Sequence, residues 1–153
     1  MNLYGVLKFL HVLLAIAAVG TNVTYGVWIS RAARDSRYLA FTLKGIKILD
    51  DRVTNPAYGL LLLTGLAMLH FGGHSWTTPW LLVSLILYAV MVVLALRGYT
   101  PSLRRQIAVL EAGGPDSPEY RALAASATRL GVALSIIVVA IVFLMVTKPT
   151  LWG

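Results

Sequence analysis

Four stretches of this sequence, Tyr4 to Ile29, Val53 to Phe71, Pro79 to Leu96 and Leu130 to Thr147, contain a single charged residue between them, Lys8. Each is near the roughly 20 residues an α-helix needs to cross a hydrocarbon core of about 30 Å. A bilayer offers no water to backbone N–H and C=O groups, so a spanning segment must satisfy them internally. With no period-2 barrel pattern, all four read as helices. Composition agrees, since 58% of the 153 residues are apolar and only 12% charged, against about 25% charged in soluble domains. The expectation is an all-α polytopic membrane protein, one four-helix transmembrane bundle over residues 1–153 with amphipathic helical connections on the cytoplasmic side.

The net charge of +7 takes its meaning from placement. Arg31, Arg34, Arg37, Lys44, Lys47 and Arg52 lie between the first and second runs, and Arg97, Arg104, Arg105, Arg121 and Arg129 between the third and fourth. The turn GGHSWTT between the second and third has none. The positive-inside rule then puts both long connections in the cytoplasm of a bacterial inner membrane and both termini outside. No nucleic-acid partner is expected from charge arranged this way. Lys8 ahead of FLHVLLAIAA has the shape of a signal peptide. The apolar run continues past it and the basic block that follows is stronger, so the segment reads as a first span.

The connections have structure of their own. Leu39, Leu43, Ile46 and Leu49 recur at helical spacing opposite Lys44, Lys47 and Asp51, which predicts an amphipathic helix over 38–52 leading into the second span. Asn55-Pro56 marks either a fresh helix start or a kink in a continuous helix. Leu103, Ile107 and Leu110 predict a surface helix ending at Gly113-Gly114. Ser117-Pro118-Glu119 reads as a cap with a first-turn proline and acid, so the last helix begins well before the membrane. No internal repeat is visible. Basic helices of this kind suit anionic lipid headgroups.

Much chemistry is excluded. Without cysteine there is no disulfide, thiolate nucleophile or iron–sulfur cluster. No phosphate-binding glycine loop, nucleophile elbow or HExxH helix is present. All six acids, Asp35, Asp50, Asp51, Glu111, Asp116 and Glu119, fall in the two basic connections, so a carboxylate relay through the membrane is not expected. No catalytic residue can be named.

The polar groups of HVLLAIAAVGTNVTYG, residues 11–26, are the exception within the spans. His11 and Asn22 are close to three helical turns apart and share a face with Ala15 and Ala18. A face that is polar at both ends and small in the middle belongs inside a bundle. Asn22 and Thr24, with Asn55, read as a polar packing seam. The small residues leave room for a flat cofactor beside His11. His70 returns to the same end on the antiparallel second helix, followed by His74, with Met68 and Met145 nearby. Imidazole and thioether are haem or copper ligands, which makes His11 and His70 candidate cofactor ligands and His74 and Met68 candidate metal ligands. Each also has a structural reading: a hydrogen-bonded histidine, a solvated turn, packing methionines. Trp76, Trp80, Tyr99 and Trp152 read as interfacial anchors.

The stretches LKFLHVLLAIAAVG, NPAYGLLLLTG and FLMVTKP resemble a family of uncharacterised bacterial four-helix membrane proteins. That family is distantly similar to the copper-resistance protein CopD and to HemJ, the haem-binding protoporphyrinogen oxidase. The resemblance implies that His11 matches the helix-1 histidine of HemJ-like haem sites. HemJ-like proteins also carry a Pro-Arg pair late in helix 1, where this chain reads TYGVWIS, and a lysine within helix 3, where it reads LLVSLILYAV. Porphyrinogen oxidation is therefore not assigned.

Three functions follow as expectations. The first is a non-enzymatic helical subunit or scaffold, packed against other membrane subunits or further copies of itself through Gly20, Gly26, Gly59 and Gly65. The second is a redox protein binding haem b, or alternatively copper, through His11. The third is a small transporter. A role with no cofactor is as consistent with the residues as either cofactor.

Overall fold

The computed structural model describes residues 2–73 and 75–151, so His74 and Trp152 lie outside the described residues. Helix α1 (Leu3–Ala32) leads through a 3-10 turn (Ser36–Tyr38) into α2 (Leu39–Leu49), and α3 (Asn55–Gly72), α4 (Pro79–Leu94), α5 (Thr100–Gly113) and α6 (Pro118–Thr147) follow. Local chemistry sets the ends. The Asn2 side chain accepts the Gly5 N–H at 2.9 Å and starts α1. Gly73 ends α3 at φ 65°, a left-handed conformation that a residue without Cβ adopts freely. Ser117 Oγ accepts the Tyr120 N–H at 3.2 Å and Pro118 occupies the first turn, where its missing N–H costs nothing. That start, well ahead of the apolar run, is the one expected. Beyond α6, the Lys148 ammonium lies 5.4 Å over the Trp80 ring.

The two amphipathic helices of the connections exist, but neither is separate from the span beside it. Helix α2 runs into α3 through a π-helical turn, Asp50–Thr54, and α4 runs into α5 through another, Ala95–Tyr99. Both turns end directly before an X-Pro step, Asn55-Pro56 and Thr100-Pro101. A proline has no N–H to give the carbonyl four residues back, here Arg52 and Arg97, and its ring collides with that carbonyl in a regular helix. One extra residue in the preceding turn relieves the conflict. The N–H of Asn55 reaches the Asp50 carbonyl and that of Thr100 reaches the Ala95 carbonyl, five residues back. Asn55 thus continues a helix instead of capping a new one, which settles the alternative left open by the sequence.

The long helices pack as two pairs, α1 with α3 and α4 with α6. Among the described residues no Cα of α3 comes within 8 Å of one in α4. The pairs are joined at the basic end, where α2 packs on α5 and α5 on α6. There Tyr25, Ala32, Leu39, Leu43, Ile46, Leu103, Leu110 and Tyr120 form a buried cluster. Leu49, expected on the same face of α2, is exposed, because the helical step of about 100° leaves it about 80° off the direction of Leu39, and the next residue, Asp50, takes the inward position. Ion pairs Lys44–Glu111 and Arg105–Glu119 edge the cluster. Exposed pairs contribute only about 0 to 1 kcal/mol each, so the apolar contacts hold this end together.

Away from that end the helices turn apolar side chains outward, among them Phe9, Leu13, Ile16, Val23 and Val27 of α1 and Val132, Ile136, Val139, Phe143 and Val146 of α6. Such surfaces require lipid as their solvent. Three helices, Leu3–Ala32, the continuous Pro79–Gly113 and Pro118–Thr147, are long and apolar enough to cross a membrane. The expected second span, α3, has 18 residues with Asn55, Pro56 and His70 near its ends, and lies antiparallel along α1.

Candidate functional site

Three side-chain bonds join α1 to α3. Tyr25 OH meets Thr54 Oγ1 at 2.8 Å, Asn22 Nδ2 donates to Tyr58 OH at 2.6 Å, and His11 Nδ1 lies 2.9 Å from Thr64 Oγ1. The Thr64 hydroxyl donates to the Leu60 carbonyl at 2.8 Å, so its oxygen accepts from His11 Nδ1–H and the imidazole lone pair falls on Nε2. His11, Ala18 and Asn22 share the inward face, as their spacing predicts. Thr24 departs from expectation: it is exposed and donates to the Thr21 carbonyl of its own helix at 2.7 Å. Its neighbour Tyr25 occupies the inward register. Asn55 likewise bonds within its own helix, to Asp50 at 3.2 Å.

The structure does not bring His11 and His70 together. Thr64, level with His11, stands six residues before His70, a rise of about 9 Å. His70 is exposed, its ring edge against Phe71 at a centroid distance of 5.0 Å. Met68 and Met145 are half-buried. Nor is there open room at His11 on the α3 side, because a Cβ on Gly65 would come within 3.2 Å of His11 Cε1. The small residues of the seam bring the two helices close together.

The open space is nearer the basic end. Between the helix pairs lies a cavity of about 920 Å³, at the upper end of the roughly 300–1,000 Å³ typical of ligand sites. Asn22, Tyr25, Tyr58, Tyr88 and Tyr99 give it polar groups, while Leu62, Met91, Val92, Leu134 and Val138 make apolar wall. Its lining includes exposed Val23 of α1 and exposed Val132 and Ile136 of α6, which places an apolar rim on the α1/α6 flank. On the opposite flank Tyr88 OH donates to the Tyr58 carbonyl at 2.7 Å and ties α4 to α3. Gly26 and Gly59, expected at close helix contacts, line the cavity instead, and a Cβ on either would meet nothing within 4 Å. Of the four glycines named for packing, Gly65 is the one in a tight contact within this chain. Tyr99, expected as an interfacial anchor, also lines the cavity.

Asp50 is the residue that sequence reasoning passed over. It belongs to a basic connection by position, yet it lines the cavity and is 4% exposed. Both hydrogen bonds it receives fall on Oδ2, from Asn55 Nδ2 at 3.2 Å and from Thr100 Oγ1 at 3.3 Å. No described residue donates to Oδ1. The two donors are the pre-proline residues that close the two π turns, so one carboxylate oxygen ties the turns to each other. Burial raises the Asp50 carboxyl above the ordinary carboxylate value, opposed by the bonds from Thr100 and Asn55 and by the Lys47 charge. The signal available in the sequence was the recurrence of RVTNP and RGYTP. Short π turns within helices occur often at functional sites.

Helices of this length and apolarity, packed around a cavity whose rim is apolar, define an integral membrane protein. The chain matches the DUF2269 family, described as a predicted integral membrane protein, over residues 5–149, and it belongs to that family. No curated protein and no solved structure matches it. The similarity to CopD and HemJ gains no support from these comparisons.

The raised carboxyl of Asp50 has a consequence for stability. Between its unfolded and its raised folded value the native state binds more protons than the unfolded state, so stability falls as pH rises through that window. Asp50→Asn keeps an acceptor oxygen for Asn55 and Thr100 and removes the charge. Thermal melts in detergent should show the wild type losing stability as pH rises from about 4, with a smaller loss in the variant. Parallel pH profiles would refute a buried, reluctant carboxylate.

Proposed function

We propose that this protein is a membrane-embedded binding protein that takes an apolar or amphipathic small molecule from the bilayer into the cavity between its helix pairs. The cavity itself carries the reading. A scaffold whose helices served only to pack would gain dispersion and lose nothing by closing 920 Å³ of space, since voids forfeit contacts on every lining atom. Here two glycines widen the space and a polar floor lies beneath apolar walls. That is the usual composition of a site for a largely apolar ligand with one polar end. Helix α3 serves as a fourth span on this reading. It carries no Asp, Glu, Lys or Arg and is paired with α1 from Thr54 to Thr64. The basic end, with the floor of the cavity, faces the cytoplasm of the bacterial inner membrane.

A second reading rests on His11. With Nδ1 held by Thr64, its Nε2 lone pair is oriented as a metal-binding imidazole requires, so haem b or copper at this end of the bundle is the alternative. Purified protein made with ample haem and copper would show a Soret band or bound copper that His11→Ala removes. A colourless, copper-free protein eliminates this reading.

Two further outcomes test the principal one. The neutral fluorophore N-phenyl-1-naphthylamine should brighten saturably on protein in lipid nanodiscs, beyond empty nanodiscs. Gly59→Leu, which places a side chain in open cavity, should weaken that binding about tenfold, the equivalent of about 1.4 kcal/mol, without lowering the melting temperature. Binding unaffected by filling the cavity would count against it as the site. For orientation, a reporter fused after Gly73 should be active only outside the cytoplasm and one fused after Gly113 only inside; the reverse pattern inverts the assignment.

A further inference from the structure

Among the described residues lining the cavity, Asp50 is the only Asp, Glu, Lys, Arg or His. An anionic ligand would therefore meet like charge with no cation in the lining to answer it, since the Lys47 charge felt by Asp50 lies outside the lining and is paired with Asp51. A neutral ligand would leave Oδ1, which accepts no bond from a described residue, open to the cavity. An isolated carboxylate out of water is costly, and its usual remedies are protonation or a paired cation. The surrounding groups favour the second when a ligand is present. Four tyrosines, Tyr25, Tyr58, Tyr88 and Tyr99, also line the space, and aromatic faces attract organic cations electrostatically. Thr100 and Asn55 both occupy Oδ2, which holds the carboxylate in place while Oδ1 receives nothing. The apolar walls and the rim on the α1/α6 flank suit a ligand body that partitions into lipid.

We propose that the cavity selects lipophilic organic cations, with the ligand's positive charge placed at Asp50 Oδ1 and its apolar body against the walls toward the α1/α6 rim. A bare metal ion fits less well, because a single free carboxylate oxygen falls short of the six or more oxygens hard cations prefer. This inference deepens the binding function proposed above and rests on it. It adds the charge of the ligand and names Asp50 as the residue that reads it.

The test uses full-length protein in neutral-lipid nanodiscs and displacement of N-phenyl-1-naphthylamine by two probes of similar shape and opposite charge, tetraphenylphosphonium and tetraphenylborate. Tetraphenylphosphonium should displace the fluorophore and tetraphenylborate should not. Asp50→Asn should bind the neutral fluorophore as the wild type does, which also shows that the cavity is folded, while its affinity for tetraphenylphosphonium falls about tenfold or more, as expected for loss of a close charge pair. Asp50→Glu should restore much of that affinity. Equal displacement by both probes, or unchanged affinity for tetraphenylphosphonium in Asp50→Asn, overturns the charge selection and leaves the binding cavity standing. Failure of the neutral fluorophore to bind the wild type overturns both.

Discussion

A proline in the middle of a continuous helix leaves a carbonyl without its donor and forces its ring against that carbonyl, and this chain meets the problem twice. Pro56 and Pro101 sit where a long apolar helix joins an amphipathic one of the basic end, and at both places the backbone answers with a π turn. A regular helix would leave a cost of about 3 kcal/mol or more at each. The π turn accommodates the proline and advances the rest of the helix to a new register. At the two turns the pre-proline side chains Asn55 and Thr100 meet on one carboxylate oxygen of Asp50. The join between the two helix pairs depends on this arrangement and on the apolar cluster beside it.

The rest of the bundle is built to leave space. The α1–α3 pair is held by a ladder of polar contacts, each worth about 0.6 to 2 kcal/mol in a membrane. Its two helices come close enough at Gly65 for the imidazole of His11 to rest on the backbone. The Tyr88–Tyr58 bond ties α4 to α3. The pairs are joined mainly at the basic end, with a smaller contact between α1 and α6 above it. A lipid-soluble ligand entering from the flank would meet apolar wall first and polar floor last, the order in which such a molecule desolvates most cheaply.

Much of this was legible from residues. The period of 3.6 put His11 and Asn22 on one inward face, the cap signal at Ser117 placed the start of α6, and Leu39, Leu43 and Ile46 marked the buried side of α2. Thr24 and Leu49 were misplaced by a single register position each. For Thr24 the reason is that a polar residue beside an inward-facing one looks the same in sequence whether it bonds across the bundle or back to its own helix. For Leu49 it is that the helical step carries it to the edge of the buried stripe, where the next residue, Asp50, takes the inward position. The exposed stripes of α1 and α6 repeat at the three- and four-residue spacing that in a soluble helix would signal a core; lipid removes the contrast between inside and outside on which that inference depends.

The sequence by itself determined that the chain is helical and lives in a membrane, because long uncharged runs can satisfy their backbones in lipid in no other way. It also determined which end carries the basic charge and where the helices begin. Only the tertiary structure decided where the functional space lies. The cavity forms from groups thirty or more residues apart, Asp50 with Thr100 and Tyr58 with Tyr88. Its central acid continues the buried stripe of Leu39, Leu43 and Ile46 by one more helical step, and only the packing of α2 against the other helices turns the end of that stripe toward open space. The histidines, the most conspicuous polar residues in the spans, were separated by the offset between two antiparallel helices, which is set by how α1 and α3 pack and not by the position of either residue along the chain.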